Sequence, residues 1–140
     1  MVNINLGRVL LGGLVTGAVV TFGEYLLAEK VLKTQMNEFF TSHGFKQPGW
    51  YFKPSAVALN LVLGIVMVWL YALIRPRLGP GPKTAVIVAL IAWFAIYVYT
   101  GIINGMALAI PANLLVIALA WGLVEYALAA LAGAWLYTEA

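Results

Sequence analysis

Glu24 and Glu125 are the only carboxylates that lie well inside apolar stretches of this chain. An ionisable side chain within such a stretch is a functional candidate by default, because its charged form loses its hydration in hydrocarbon. No well-buried Lys, Arg or His accompanies either residue, so desolvation favours the neutral acid. Two chemistries are then open to the pair. As neutral acids they can donate to backbone carbonyls, or to Thr16, Thr21, Asn60, Thr100, Asn104 and tyrosine hydroxyls, in interhelical hydrogen bonds worth about 0.6–2 kcal/mol each. As groups that gain and lose a proton, they can instead couple to the movement of a cation or lipophilic substrate, or line a conductive path. Tyr126, beside Glu125, and Asn60 complete the set of proton- or substrate-site candidates.

Other reaction centres find little support in the residue types present. The chain has no cysteine and a single histidine, His43. That excludes disulfides, iron–sulfur clusters, cysteine-ligated zinc and bis-histidine haem within one chain. One haem or pigment held by His43 alone is conceivable, but a solvated or interfacial histidine is the commoner use of such a residue. No metal site and no cofactor is expected. A serine triad lacks an embedded Ser-His pair and an elbow motif, and Gly79-Pro80-Gly81-Pro82 is a proline-locked turn rather than a phosphate loop. The chain therefore reads as non-enzymatic. Trp93, Trp121, Trp135, Tyr71, Tyr97 and Tyr99 read as packing or interfacial aromatics.

The elements that must position the glutamates follow from composition. The 140 residues are 64% hydrophobic and 9% charged, with mean hydropathy +0.96, which marks an integral membrane protein. Four apolar stretches, at about Leu6–Ala28, Ser55–Ile74, Thr84–Ile103 and Ala112–Tyr137, each approach the roughly 20 residues a helix needs to cross a hydrocarbon layer. They predict an all-α transmembrane four-helix bundle forming one domain over residues 1–140. The first stretch is longer than a signal-peptide core and Leu26-Leu27-Ala28-Glu29 offers no small-residue cleavage site, so it is read as a retained span.

Residues 29–54 form the one sizeable extramembrane segment. Leu32, Met36, Phe39 and Phe40 recur there at helical spacing opposite Lys30, Lys33, Asn37 and Glu38, which predicts an amphipathic extension of the first helix that stops near Gly44. Trp50, Tyr51 and Phe52 follow as an interfacial aromatic cluster. Arg75 to Lys83, with three prolines, reads as a tight turn.

Basic residues sit at the ends of the apolar runs, as interfacial anchors rather than a nucleic-acid surface. Arg8, Arg75, Arg77 and Lys83 lie on one side, and Lys30, Lys33, Lys46 and Lys53 on the other. The first set is denser and in shorter segments, so both termini are placed in the cytoplasm and the protein in the cell inner membrane, as a multi-pass protein.

Helices in lipid associate where small residues let backbones approach. Gly13 and Gly17 form GxxxG, and at 100° per residue Glu24 falls within about 20° of both. Gly122, Glu125 and Ala129 share a face of the last helix, and Ala129 and Gly133 repeat the spacing. Both glutamates are thus expected to face protein. Counting along the axes puts Glu24 about 27 Å from Leu6 and Glu125 about 20 Å from Ala112, so the two are not expected to touch. Gly23-Glu24-Tyr25-Leu26-Leu27-Ala28 echoes Val124-Glu125-Tyr126-Ala127-Leu128-Ala129, without establishing an internal repeat.

Arg75-Pro76-Arg77 followed by GPGPKTA, WGLVE at Trp121–Glu125 and GAWLY at Gly133–Tyr137 resemble a group of small bacterial four-helix integral membrane proteins of uncharacterised function. The layout is also loosely similar to DoxX-like proteins, and small multidrug transporters share a first-helix glutamate; these likenesses imply architecture only. The leading functional expectation is an accessory or scaffold subunit in the bilayer, as a homo-oligomer or within a larger membrane complex. The alternative is a proton-coupled small transporter or channel using Glu125 and Glu24. So short a chain encloses too little interior for a spacious pore.

Overall fold

Runs of Leu, Val, Ala and Ile become helices in hydrocarbon because a spanning backbone must satisfy its N–H and C=O groups internally. In the computed structural model, which describes residues 3–139, four helices are long and apolar enough to cross a membrane: α1 (Leu6–Val31), α3 (Phe52–Leu78), α4 (Pro82–Leu108) and α5 (Ala112–Leu136). A shorter helix, α2 (Lys33–Ser42), follows α1. The fold is all-α, a four-helix bundle, and the chain is a multi-pass helical membrane protein. The unit expected over residues 1–140 includes 1, 2 and 140, which lie outside the described residues.

Helix ends depart from the expected spans for local reasons. At the start of α1, the Asn5 side chain caps the helix by accepting the Arg8 N–H at 3.1 Å, satisfying one orphan donor. The helix α3 begins earlier than expected, at Phe52, and runs through Pro76 to Leu78. Arg75 and Arg77 in its last turn complement the negative end of the helix dipole. The turn expected over Arg75–Lys83 thus shrinks to a few residues around Gly79 and Gly81, both at positive φ, before Pro82 starts α4 at the position where a missing N–H costs least. Tyr71 accepts the Gly81 N–H at 2.9 Å, and Thr84 donates to the Gly79 carbonyl at 2.7 Å.

The amphipathic segment is helical, but it does not simply extend α1. The last turn of α1, Leu27–Val31, is a π-helix closed by Leu32 N–H donating to the Leu27 carbonyl at 2.8 Å, and Leu32 itself leaves helical geometry. Leu32 and Phe39 are buried, as their spacing implied, and Gly44 takes the left-handed conformation that ends α2. Trp50, Tyr51 and Phe52 are exposed, as an interfacial cluster requires.

The bundle closes around α1. A Cβ on Gly13 or Gly17 would run into the α3 backbone at Ile65, Leu61 and Asn60, and one on Gly64 would strike the backbone of Gly13 and Gly17. The other side of α1 meets α5: Gly12 lies against Gly133, and Thr16 donates to the Ala129 carbonyl at 3.1 Å. Val20, Met67, Val68, Tyr71, Val88 and Tyr126 fill the core between these seams.

Gly64→Ala should therefore destabilise the bundle by about 1–3 kcal/mol, the usual cost of overpacking. Gly101→Ala, whose Cβ would meet nothing within 4 Å, should instead stabilise by about 0.5–1 kcal/mol. Unfolding each variant in mixed detergent micelles, with helix content followed by circular dichroism, reads both signs.

Candidate functional site

Glu125 occupies the α1–α5 seam. Successive positions along that seam pair Gly12 with Gly133, Thr16 with Ala129 and Gly23 with Glu125. At the third level the missing side chain of Gly23 leaves the volume that the carboxyl fills: a Cβ there would lie 2.6 Å from Glu125 Cδ. Glu125 is only 5% exposed. Its Oε2 accepts from Trp121 Nε1 at 3.1 Å, and the same indole N–H is shared with the Gly23 carbonyl at 3.1 Å. Its Oε1 has no hydrogen-bond partner among the described residues.

Glu24, the next residue along α1, is half-buried. Its Oε1 accepts from the Tyr97 hydroxyl at 2.6 Å, and the Tyr97 ring packs edge-on against Tyr126, centroids 5.3 Å apart. Tyr97 also fills the slot left by Gly122, where a Cβ would meet its ring. Trp93, one turn earlier in α4, donates to the Leu119 carbonyl at 2.8 Å and fixes that helix against α5. Glu24, Tyr97, Tyr126, Glu125, Trp121 and Gly23 thus form one connected group.

Glu24 and Glu125 belong to one group through the Tyr97–Tyr126 contact, and no hydrogen bond joins the two carboxyls among the described residues. Axial counting placed the Cα atoms about one turn or more apart, but it ignored the direction in which side chains leave a helix. Cα–Cβ bonds tilt toward the helix N-terminus. Glu125 accordingly reaches back to Trp121, four residues earlier, while Glu24 reaches Tyr97 of α4.

Two expectations change. Trp121 and Tyr97, read as packing aromatics, supply the hydrogen bonds that hold the carboxyls; the spacing of Trp121 and Glu125, one turn apart, was the available signal. Asn60 does not join the group: it lies on α3, where its backbone carbonyl meets Gly17. Tyr126 is brought in through its ring. Gly13, Gly17, Gly122, Ala129 and Gly133 all lie at helix contacts, Gly13 and Gly17 facing α3 while Glu24 ends against α4.

Both flanks of the site carry π-helical backbone, Leu27–Val31 after Glu24 and Phe94–Tyr99 around Tyr97. Such widened turns recur at functional sites because they re-aim one side chain at the cost of regular hydrogen bonding. Glu24 also lines a cavity of about 250 Å³ walled by Leu27, Leu32, Met36, Leu115 and Ala118.

His43 sits apart from the carboxyls, at the end of α2. Its Nδ1 lies 2.9 Å from the Phe39 carbonyl, and its ring is 4.3 Å from Phe39 and stacked on Phe45 at 6.0 Å. No group of three or more His, Cys, Asp or Glu able to hold a metal ion occurs among the described residues.

No family model matches the chain, and neither a curated protein nor a solved structure matches it.

Trp121→Phe removes the only donor to Glu125 among the described residues while keeping an aromatic ring in place. It should cost about 1–3 kcal/mol, the penalty of leaving a buried acceptor unpaired. Gly23→Ala should displace the Glu125 carboxyl without removing any polar group. Infrared spectra with Glu125→Gln as the reference would show the Glu125 carboxyl band shifted in both variants. An unshifted band would refute the arrangement.

Proposed function

We propose that this chain is a small, non-enzymatic inner-membrane protein that exchanges protons through Glu125 and Glu24 to drive or accompany the movement of a small solute. The observation that carries this reading is the Glu125 Oε1 atom, buried in the bundle and without a hydrogen-bond partner among the described residues. A glutamic acid that served only to tie helices together would use both oxygens, since buried polar groups are nearly always paired. An unpaired carboxyl oxygen, in a group that holds a second carboxyl through Tyr97, is instead a place where a proton is taken up and released.

The scaffold reading draws less support. It drew on glycine stripes and glutamic acids that glue helices together, and Gly13, Gly17, Gly64 and Gly133 are occupied by helices of the same chain. A homo-oligomer or larger complex would have to use other surfaces, such as the lipid-facing side of α4. We place both termini in the cytoplasm, on the strength of the denser Arg8, Arg75, Arg77 and Lys83 set. The α2 side of the bundle, nearer to Glu24, then faces away from the cytoplasm.

Reconstitution into liposomes loaded with a pH-sensitive dye tests the proposal. The wild-type protein should dissipate an imposed pH gradient faster than empty liposomes, and Glu125→Gln, which keeps size while removing the titratable proton, should slow it at least tenfold with helix content unchanged. Equal rates for wild type, Glu125→Gln and empty liposomes would overturn the proposal.

A further inference from the structure

The inner cavity beside Glu24 is not isolated. A second cavity, of about 380 Å³, lies between α2 and the start of α5 and is lined by Gln35, Glu38, Ser42, His43 and Asn113. Leu114 lines both, so an outer cavity of mixed lining, with Phe39 and Pro111 beside its polar groups, adjoins an apolar inner one at a single side chain. The order matches the membrane: α2 lies at the end of the span, and the inner chamber runs from it toward Glu24. The π-helical end of α1 and the non-helical Leu32 carry α2 over this cleft rather than letting it continue along the axis of α1.

The chemistry of the walls selects a ligand. The inner chamber offers aliphatic surface from Leu27, Leu32, Met36, Leu115 and Ala118, which suits an alkyl chain and gives up nothing polar when water leaves. The outer lining carries one carboxylate, Glu38, with the amide groups of Gln35 and Asn113, the Ser42 hydroxyl and the His43 ring beside it, the His43 Nδ1 being 2.9 Å from the Phe39 carbonyl. Neither lining contains Lys or Arg. An anionic head would face Glu38 with no cation to receive it, whereas an ammonium head would gain an opposite charge at the rim.

We propose that this cleft binds a single-chain amphiphile with an ammonium head, the head at Glu38 and the chain passing Leu114 into the chamber beside Glu24. The proposal goes beyond proton exchange and does not need it, because Glu125 lines neither chamber. The bound chain would cover the open side of Glu24 and limit water there, so occupancy and proton access to Glu24 would be coupled.

Binding of tritiated dodecyltrimethylammonium to the protein in lipid nanodiscs, corrected by empty nanodiscs, tests the site. The expected result is saturable binding near one per chain, displaced by unlabelled dodecyltrimethylammonium and not by dodecyl sulfate. Glu38→Gln, at an exposed position of α2, should weaken binding at least fivefold, and Leu114→Trp, which plugs the junction, should abolish it. Glu125→Gln should bind as wild type does. Binding no greater than to empty nanodiscs, unchanged binding in Glu38→Gln, or equal displacement by dodecyl sulfate would each overturn the proposal. Normal binding with no proton flux would sink the exchange reading alone, and flux without binding would sink the cleft alone.

Discussion

Everything in this molecule depends on how closely α1 approaches its neighbours. Lipid tails are as apolar as leucine, so helices in a membrane gain little from burying apolar surface and are held by van der Waals contact and interhelical hydrogen bonds. Both need backbones within reach. The glycines of α1 provide that reach on two sides, with Gly13 and Gly17 set into α3 and Gly12 and Gly23 set against α5. The Thr16 bond to the Ala129 carbonyl is possible only at this separation.

The same seam that packs the bundle also creates its polar group. At Gly12 and Gly133 two small residues meet, and at Gly23 a small residue meets Glu125 instead. The carboxyl enters because one helix has given up a side chain there. The π-turn of α4 then brings Tyr97 between α1 and α5 to bond the Glu24 carboxyl while its ring contacts Tyr126. Packing and site are therefore not separable features. A substitution that loosens the glycine seam would also unseat the carboxyls.

Much of the fold was legible because hydrocarbon leaves few choices: a run of some 20 apolar residues must be helical. The amphipathic α2 and its Gly44 cap were legible for the same kind of reason, a period and a residue able to take positive φ. The ends of α3 were not, because a proline is read as a helix stop, whereas α3 gives up one backbone bond at Pro76 and runs two residues past it. The π-turns were invisible, since widening a turn by one residue leaves no mark on an apolar sequence. At the site, the identities of Glu24 and Glu125 were readable from their unusual environment. Their hydrogen-bond partners were not, because counting residues along an axis gives the height of a Cα and says nothing of a side chain that spans most of a helical turn.

Within the proposed reading the two glutamates divide the work. Glu125 is enclosed, held by Trp121 on one oxygen, and cut off from bulk water by the α1–α5 seam. Glu24 is half-buried and opens onto the cleft beneath α2. A proton arriving from that side meets Glu24 first, and Tyr97, which holds Glu24, is also in ring contact with the Tyr126 neighbour of Glu125. A closed carboxyl and an open one, linked through aromatic side chains, are what this reading needs for stepwise movement across part of the membrane without a water-filled pore. The small interior of four helices then ceases to be an obstacle, because the path needs only side chains that can turn.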